Sequence, residues 1–472
     1  MMTVEVLTGP PGCGKSTILR HEAVTQPARY IFAYPTLKLL REQLTAFQTE
    51  MPKTGVVLEA HGDPPGRGKV QKKLDAAEAQ VAAARADHAI LLTTHASLMS
   101  CDLTAFRGWH FRIDEAPTAI QSGTEKSMMV HSYLEQHFEL DPIGQGGWHV
   151  VRIKPNASPT SWRAGSGLSD AQAELLNHAQ RPNTVFVDVS EFSGGFRWVS
   201  VWAPHTLEGL AASVTIAGAS YMTSIGALVA APFVTLQPRP ISMTRTGNPT
   251  IRIHYFTEGH EGSTSLWGRS EGRAHIVKLC DHLVANAPTL GFWGANGVVA
   301  NLLEHRVPGK MIPPKAEGQN EYREEQSCAY VYSAKPTPDD EPLKVLFGLS
   351  DEQIRISRED NDVLQFVMRG AIRNPDFDGS YDIYLYSLFQ AERVRGQLLG
   401  GHVGNVELHP ADAGFMQVVV PRRDRPRPAP EMAVSRSGQK VKAASAKKSE
   451  RRHAKALAAG RVPGRVGRPT KC

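Results

Sequence analysis

Gly9-Pro10-Pro11-Gly12-Cys13-Gly14-Lys15-Ser16-Thr17 follows directly on a strand-like run, Val4-Glu5-Val6-Leu7-Thr8, and leads into the helix-forming Ile18-Leu19. Residues 9–16 satisfy the pattern G-x-x-x-x-G-K-[ST], and they stand in the strand–turn–helix order that gives the pattern its meaning. Backbone N–H groups of such a turn, together with the positive end of the helix that follows, wrap a phosphate. Gly9, Gly12 and Gly14 permit the turn, and Pro10, Pro11 and Cys13 fill its variable positions. Lys15 brings a point charge to the outer phosphates, and Ser16, next to Thr17, offers a hydroxyl to Mg²⁺. Residues 9–17 are therefore expected to hold a nucleotide.

Working outward, the first ~120 residues alternate apolar strand-like runs with helical patterns, which predicts an α/β layer with a parallel sheet. Strands are expected at 4–8, 30–34, 56–60, 90–94 and 111–113, and helices at 37–48 and 69–86. Residues 125–205 are less regular and read as an insertion, with strands at 148–153, 184–189 and 198–202 and a helix near 171–179. The Pro- and Gly-containing run from Gln237 to Pro249 reads as a connector. A second strand–helix series follows, with strands at 251–256, 289–293, 329–332 and 381–386. Its helices are expected near 276–285, 297–305, 361–373 and 390–399. The organisation expected is thus 1–240 with its insertion, 248–420, and a tail at 421–472.

The chain has 472 residues and a net charge of +6. Residues 421–472 hold sixteen Lys/Arg against three Asp/Glu, a local +13 that leaves −7 for the rest. A basic arm on a mildly acidic body points to a polyanionic partner, and a tail without apolar periodicity is expected to be disordered. No run approaches the ~18–20 apolar residues that cross a bilayer. Five scattered cysteines suggest neither a disulfide framework nor a zinc site. A first strand that starts at once leaves no expected signal peptide. The expectation is a reduced, cytoplasmic protein with no membrane partner.

Asp114-Glu115-Ala116-Pro117 follows Trp109-His-Phe-Arg-Ile113, so the acidic pair sits at the C-terminal end of a predicted strand, the edge at which open α/β sheets bind ligands. Asp114 would complete the Mg²⁺ shell, and Glu115 would orient and deprotonate an attacking water. Far downstream, the segment from Asn361 to Arg373 reads as one helix with Leu364, Val367, Met368, Ala371 and Ile372 as its buried stripe. Gln365, Arg369 and Arg373 recur every four residues along a neighbouring face. Across a cleft from the phosphate loop, Gln365 would position the water and the two guanidinium groups would neutralise charge on a transferred phosphoryl group.

On these residues the chain resembles a superfamily 2 helicase of the DEAD/DEAH-like group, in a divergent form similar to those of phages and plasmids. The phosphate loop is similar to motif I, Asp114–Pro117 to motif II, and Gln365, Arg369 and Arg373 to motif VI, although the family spaces its arginines three apart. Tyr34-Pro35-Thr36-Leu37 resembles motif Ia, with Pro35 and Thr36 at a nucleic-acid strand, and Thr93-Thr94-His95 resembles the element that holds it further along through Thr94. Ala217-Gly218-Ala219-Ser220 resembles motif III. Phe292-Trp293 stands in the place of motif IV, though Trp293 reads equally as core. Lys315 to Tyr322 stands in the place of motif V, with Gly318 and Asn320 as its contacts.

The resemblance implies two RecA-like parallel-sheet domains in tandem, ATP and Mg²⁺ between them, and a nucleic-acid partner, DNA in preference to RNA. It also implies replication proteins as further partners, and a host cytoplasm if a phage encodes the chain. Three rivals are an ATPase that remodels nucleic acid without separating strands, a P-loop phosphotransferase with an unrelated second domain, and a binding protein whose tail is the active part. Gly467-Arg468-Pro469 in the tail partly matches a minor-groove-binding Arg-Pro element, for which plain phosphate attraction is a sufficient account.

Overall fold

The protein is described by a computed structural model over residues 1–62, 67–117, 119–125, 130–144, 146–155, 170–190, 195–241, 245–314 and 321–420. The runs in which nearly every residue is apolar become strands covered on both faces, as parallel sheets require. The first are β1 (Met2–Thr8), β2 (Arg29–Tyr34), β3 (Val56–Glu59), β4 (Ala89–Thr94) and β5 (His110–Asp114), connected through α1 (Lys15–Thr25), α2 (Leu37–Glu50), α3 (Arg67–Ala83) and α4 (His95–Ser100). The chain then leaves this sheet for five strands, β6 (Ile120–Glu125), β7 (Phe138–Pro142), β8 (Trp148–Ile153), β9 (Thr184–Asp188) and β10 (Phe196–Val201), with α5 (Val130–His137) and α6 (Asp170–Ala179). It returns in β11 (Ser213–Ala217) and, past α7 (Ile225–Ala230), β12 (Val234–Pro240).

The completed first sheet is parallel with order β12-β1-β11-β5-β2-β4-β3. Side-chain alternation sends Val4, Val6, Ile31, Leu91, Ile113 and Ile216 into the core on one face, and Leu7, Tyr30, Phe32, Ile90 and Leu92 into the core on the other. The register sets Leu7 beside Ala217 and Ala217 beside Asp114. That places the entrance to the phosphate loop, the acidic pair and the small residues after β11 at one level of the carboxyl edge.

The insertion begins earlier than expected, because Ile120–Glu125 pairs antiparallel with Phe196–Val201. Its sheet, in order β6-β10-β9-β8-β7, is antiparallel throughout and alternates cleanly. Val185, Val187, Phe196 and Trp198 face α5 and α6. Trp148, Phe186, Val199 and Val201 face the other way and share a core with Leu343, Leu349 and Ile354 from the second half of the chain.

That second half holds β13 (Thr250–Thr257), β14 (Phe292–Ala295), β15 (Lys310–Met311), β16 (Ser327–Val331), β17 (Ser380–Ser387) and β18 (Asn405–Pro410). They form another parallel, RecA-like sheet, in order β15-β14-β16-β17-β13-β18. Its helices are α8 (Thr264–Trp267), α9 (Ser270–Asn286), α10 (Gly297–Leu303), α11 (Glu341–Phe347), α12 (Asp351–Arg355), α13 (Asn361–Val367) and α14 (Leu388–Gly400). Leu343, Leu349 and Ile354, none more than 6% exposed, each contribute roughly 1.5–3 kcal/mol of burial to the core they share with the insertion. Among the described residues no helix is long and apolar enough to cross a membrane. The fold is thus α/β with two parallel sheets and an antiparallel insertion in the first; the expectation for 421–472 lies outside the described residues.

Two expectations are corrected. The first part of the supposed connector, Gln237–Pro240, is the end of β12, paired parallel with β1 at the sheet edge, where proline is tolerated. The single helix over 361–373 stops at Val367. Tyr381 Oη donates to the Val367 carbonyl at 2.9 Å, and Ala371 N–H is taken by the Glu325 carbonyl at 2.8 Å, so the i→i+4 bond between those residues is never made. Arg369 lies in the turn that follows, and Arg373 ends a 3₁₀ turn, Ala371–Arg373. The buried face of α13 is Val363, Phe366 and Val367, with Leu364 only half-buried and Phe366 stacked on Tyr330 at 3.9 Å.

Candidate functional site

The phosphate loop needs backbone that L-residues resist. Gly12 has φ +87° and Gly14, the N-cap of α1, has φ +83°, both in the left-handed region. The Lys15 ammonium is buried and donates to the carbonyls of Gly9 at 3.0 Å and Pro10 at 2.9 Å. Ser16 Oγ donates to Asp114 Oδ1 at 2.6 Å, linking the start of α1 to the end of β5.

Burial, then the neighbouring Glu115 charge, pushes the Asp114 carboxyl above the usual carboxylate range, against the pull of Ser16 and Lys15. Burial also raises Glu115, opposed by Lys15, Arg373 and Arg369. Glu115 itself has φ +64°, and its N–H donates to the Ala217 carbonyl at 2.9 Å. A non-glycine residue held there is a marked backbone constraint of the kind that clusters at functional sites.

The second half completes the cavity, about 240 Å³, that these groups line. Gln365, Arg369, Arg373 and Arg323 form its opposite wall. Arg373 reaches furthest, its side chain lying against Gly12. Burial lowers the Arg373 pKa, and the Arg323 charge beside it lowers it further. The Arg369 guanidinium lies over the Phe366 ring, 5.6 Å from its centre. The early end of the helix therefore changes how the arginines are carried, not which cavity they line.

The start of α13 is held by ion pairs that the sequence reading did not single out. Arg393 Nε meets Asp360 at 2.8 Å, and its two terminal nitrogens meet Glu359 at 2.9 Å and Glu261 at 3.2 Å. Glu359 and Asp360 close a π-helical turn, Ile356–Asp360, immediately before α13. This wedge fixes the helix that carries Gln365.

The expected nucleic-acid residues fare unevenly. Thr36 caps α2, its hydroxyl accepting from Leu39 N–H at 3.3 Å, and Pro35 beside it is half-buried. Thr94 caps α4, accepting from Ser97 N–H at 3.3 Å. Gly318 and Asn320, with Lys315, lie outside the described residues. Phe292 and Trp293 are buried in β14.

One residue at the site, Arg323, has no counterpart in the sequence analysis, and another, His95, has a contact there that the sequence did not show. Arg323 stands in an irregular turn with no periodicity to mark it. His95 follows Thr94, and its buried ring is held at the Asp114 carbonyl, Nε2 at 2.8 Å; burial lowers its pKa to about 4, so it is neutral at pH 7. Its position after a strand was legible, its contact with the far end of β5 was not.

The loop and acidic pair fit a Mg²⁺-bound triphosphate. The buried lysine, the glycine turn and the helix start suit the phosphates, and the hydroxyl–carboxylate pair suits a Mg²⁺ that keeps phosphate and water ligands. Among the described residues no group of three or more His, Cys, Asp or Glu forms a protein-only metal site.

No protein-family model matches the chain, and no curated protein matches its sequence. Among solved structures it is similar to XPD in its apo form, with 12% identity over 86% of this chain and 97% of that one and a TM-score of 0.45. It is also similar to Xpd4 of S. tokodaii (10%, 86% and 96%, TM-score 0.44). A third is a variant of S. cerevisiae Dbp5 bound to RNA and ADP BeF3 (9%, 87% and 86%, TM-score 0.41).

Proposed function

We propose that this chain is an ATP-dependent nucleic-acid motor, a helicase that acts on DNA in replication or recombination. The reading rests above all on one observation: Arg373, from the second half, lies on the phosphate loop of the first, beside a cavity lined by Glu115, Gln365 and Arg369. Two halves that share one phosphate site have a reason to move against each other when the charge in it changes.

Bound there, ATP with Mg²⁺ supplies the phosphoryl group whose transfer to water releases the driving free energy. Lys15 and the loop N–H groups hold the phosphates, and Ser16 with Asp114 holds the metal. Glu115 accepts the proton of the attacking water, a task for which a raised carboxyl affinity suits it. Gln365 orients that water through its amide. Arg369 and Arg373 face the charge that builds on the transferred group, and Arg323 strengthens the positive wall. Loss of that charge releases the second half from the loop. A strand held at Pro35, Thr36 and Thr94 on one side and Gly318 and Asn320 on the other is then advanced.

The domain boundary is proposed between β12 and β13, and the setting is the cytoplasm, that of the host if a phage encodes the chain. The experiment is the ATPase rate with and without single-stranded and duplex DNA, for wild type, Glu115→Gln and Arg369→Ala. Stimulation in wild type and near-complete loss in both variants is expected; ATP turnover indifferent to DNA would favour a phosphotransferase. Strand displacement then separates a helicase from a remodelling ATPase.

A further inference from the structure

A second cavity, about 360 Å³, opens between α4 of the first sheet and the insertion. Its floor is polar and buried. Ser200 and Trp202 line it, each 1% exposed, and Asn183 donates its amide N–H to Ser200 Oγ at 2.9 Å. The Trp202 backbone N–H donates to the Ala119 carbonyl at 2.8 Å, which fixes the indole where the chain enters and leaves the insertion. Trp202 Nε1 and Asn183 Oδ1 are buried with no hydrogen-bond partner among the described residues. Leaving a buried donor or acceptor unmet costs about 1–3 kcal/mol, so an unmet donor and an unmet acceptor on two residues that line one cavity mark a place for something that supplies the reverse.

A nucleobase edge presents such a pair, an acceptor beside a donor, on a flat apolar ring. Ala96 and Met99 of α4, which begins directly after Thr94, offer the ring an apolar contact, and the rest of the lining is polar, with Gln121, Glu174, Asn177 and Arg181. A strand held at Thr94 has its bases within reach of this opening. We propose that the cavity takes one unstacked base of the single strand bound by the motor, so that the insertion grips the strand through a base where the two sheets grip its backbone. This rests on the nucleic-acid reading above.

The test uses the full chain and two labelled strands of one length, about 12 nucleotides, an oligothymidylate and its abasic counterpart, at fixed salt. Affinities are read by fluorescence anisotropy. Wild type is expected to bind the base-bearing strand roughly tenfold more tightly than the abasic one. Trp202→Phe, which removes the N–H and leaves a smaller aromatic ring, and Asn183→Ala are expected to bring that ratio towards one. Ala96→Trp, at an exposed rim position, fills the opening without touching the floor and is expected to do the same should the floor variants fold poorly. A ratio near one in wild type, or an undiminished ratio in the folded variants, overturns the base pocket and leaves the motor standing. Wild type that binds neither strand overturns the nucleic-acid reading and this proposal with it.

Discussion

The side chain of Arg373 crosses Gly12 so closely that a Cβ on that glycine would lie 2.7 Å from Arg373 Cγ and 3.1 Å from its Nε. One residue ends a 3₁₀ turn late in the chain and the other sits in the loop that follows its first strand. Their contact ties the state of the loop to the position of the second sheet.

Removing the guanidinium by Arg373→Ala is expected to lower ATP turnover by about 10³-fold, the lower end of what an arginine finger contributes. Gly12→Ala should cost as much, since it combines a disfavoured positive φ with a displaced Arg373. The double variant should be no slower than the worse single one, because both lesions break one contact. Steady-state ATPase assays on the three proteins check this.

Glu115→Gln should separate stability from activity. A buried carboxyl with a raised pKa holds more protons folded than unfolded, so its burial costs stability progressively as pH rises above the ordinary carboxylate value. The amide removes that cost. Urea midpoints measured above pH 7 should rise in Glu115→Gln while ATP turnover falls by at least about 10²-fold. An unchanged midpoint would mean that the surrounding cations already compensate the charge.

His95 gives the opposite slope. Its folded pKa is lowered from 6.5 to about 4, so the unfolded chain binds the extra proton and stability falls as pH drops between those values. The loss approaches roughly 3 kcal/mol at the acid end. His95→Gln should remove this contribution, flattening stability against pH over that range. Parallel curves for the two proteins would show that the ring is not held neutral.

Phe186 of the insertion meets Phe347 of α11 edge-on, 5.7 Å between ring centres, in the core that also buries Leu343. Phe186→Ala and Leu343→Ala should each destabilise by about 2–5 kcal/mol. Denaturant unfolding measures the loss, and a second, earlier transition in either variant would show that the shared core is what joins the halves.

The phosphate loop and the acidic pair were legible because their chemistry is local: a turn, a spacing, a strand end. So were most strands of the parallel sheets, whose unbroken apolar runs have no other reading. The end of α13 was not legible, since it depends on Tyr381 and Glu325, which claim the backbone groups of Val367 and Ala371 from other strands and turns. Nor could Ile120–Glu125 be read as a strand, because Ile120 is its sole strongly apolar residue and its partner lies across the whole insertion. Arg323 and Arg393 belong to no motif or periodicity in the sequence; only the fold sets one by the cavity and the other between three carboxylates.

The insertion's sheet has a further bearing on how the chain can be divided. Its inner surface is finished by helices made more than a hundred residues later, so a nascent first half emerges with Trp148, Phe186 and Val199 covered only in part, by Val229 of α7. Synthesis must reach Ile354 before that surface closes. A protein cut between its two parallel sheets would yield a sticky fragment, recoverable only by adding back the missing piece.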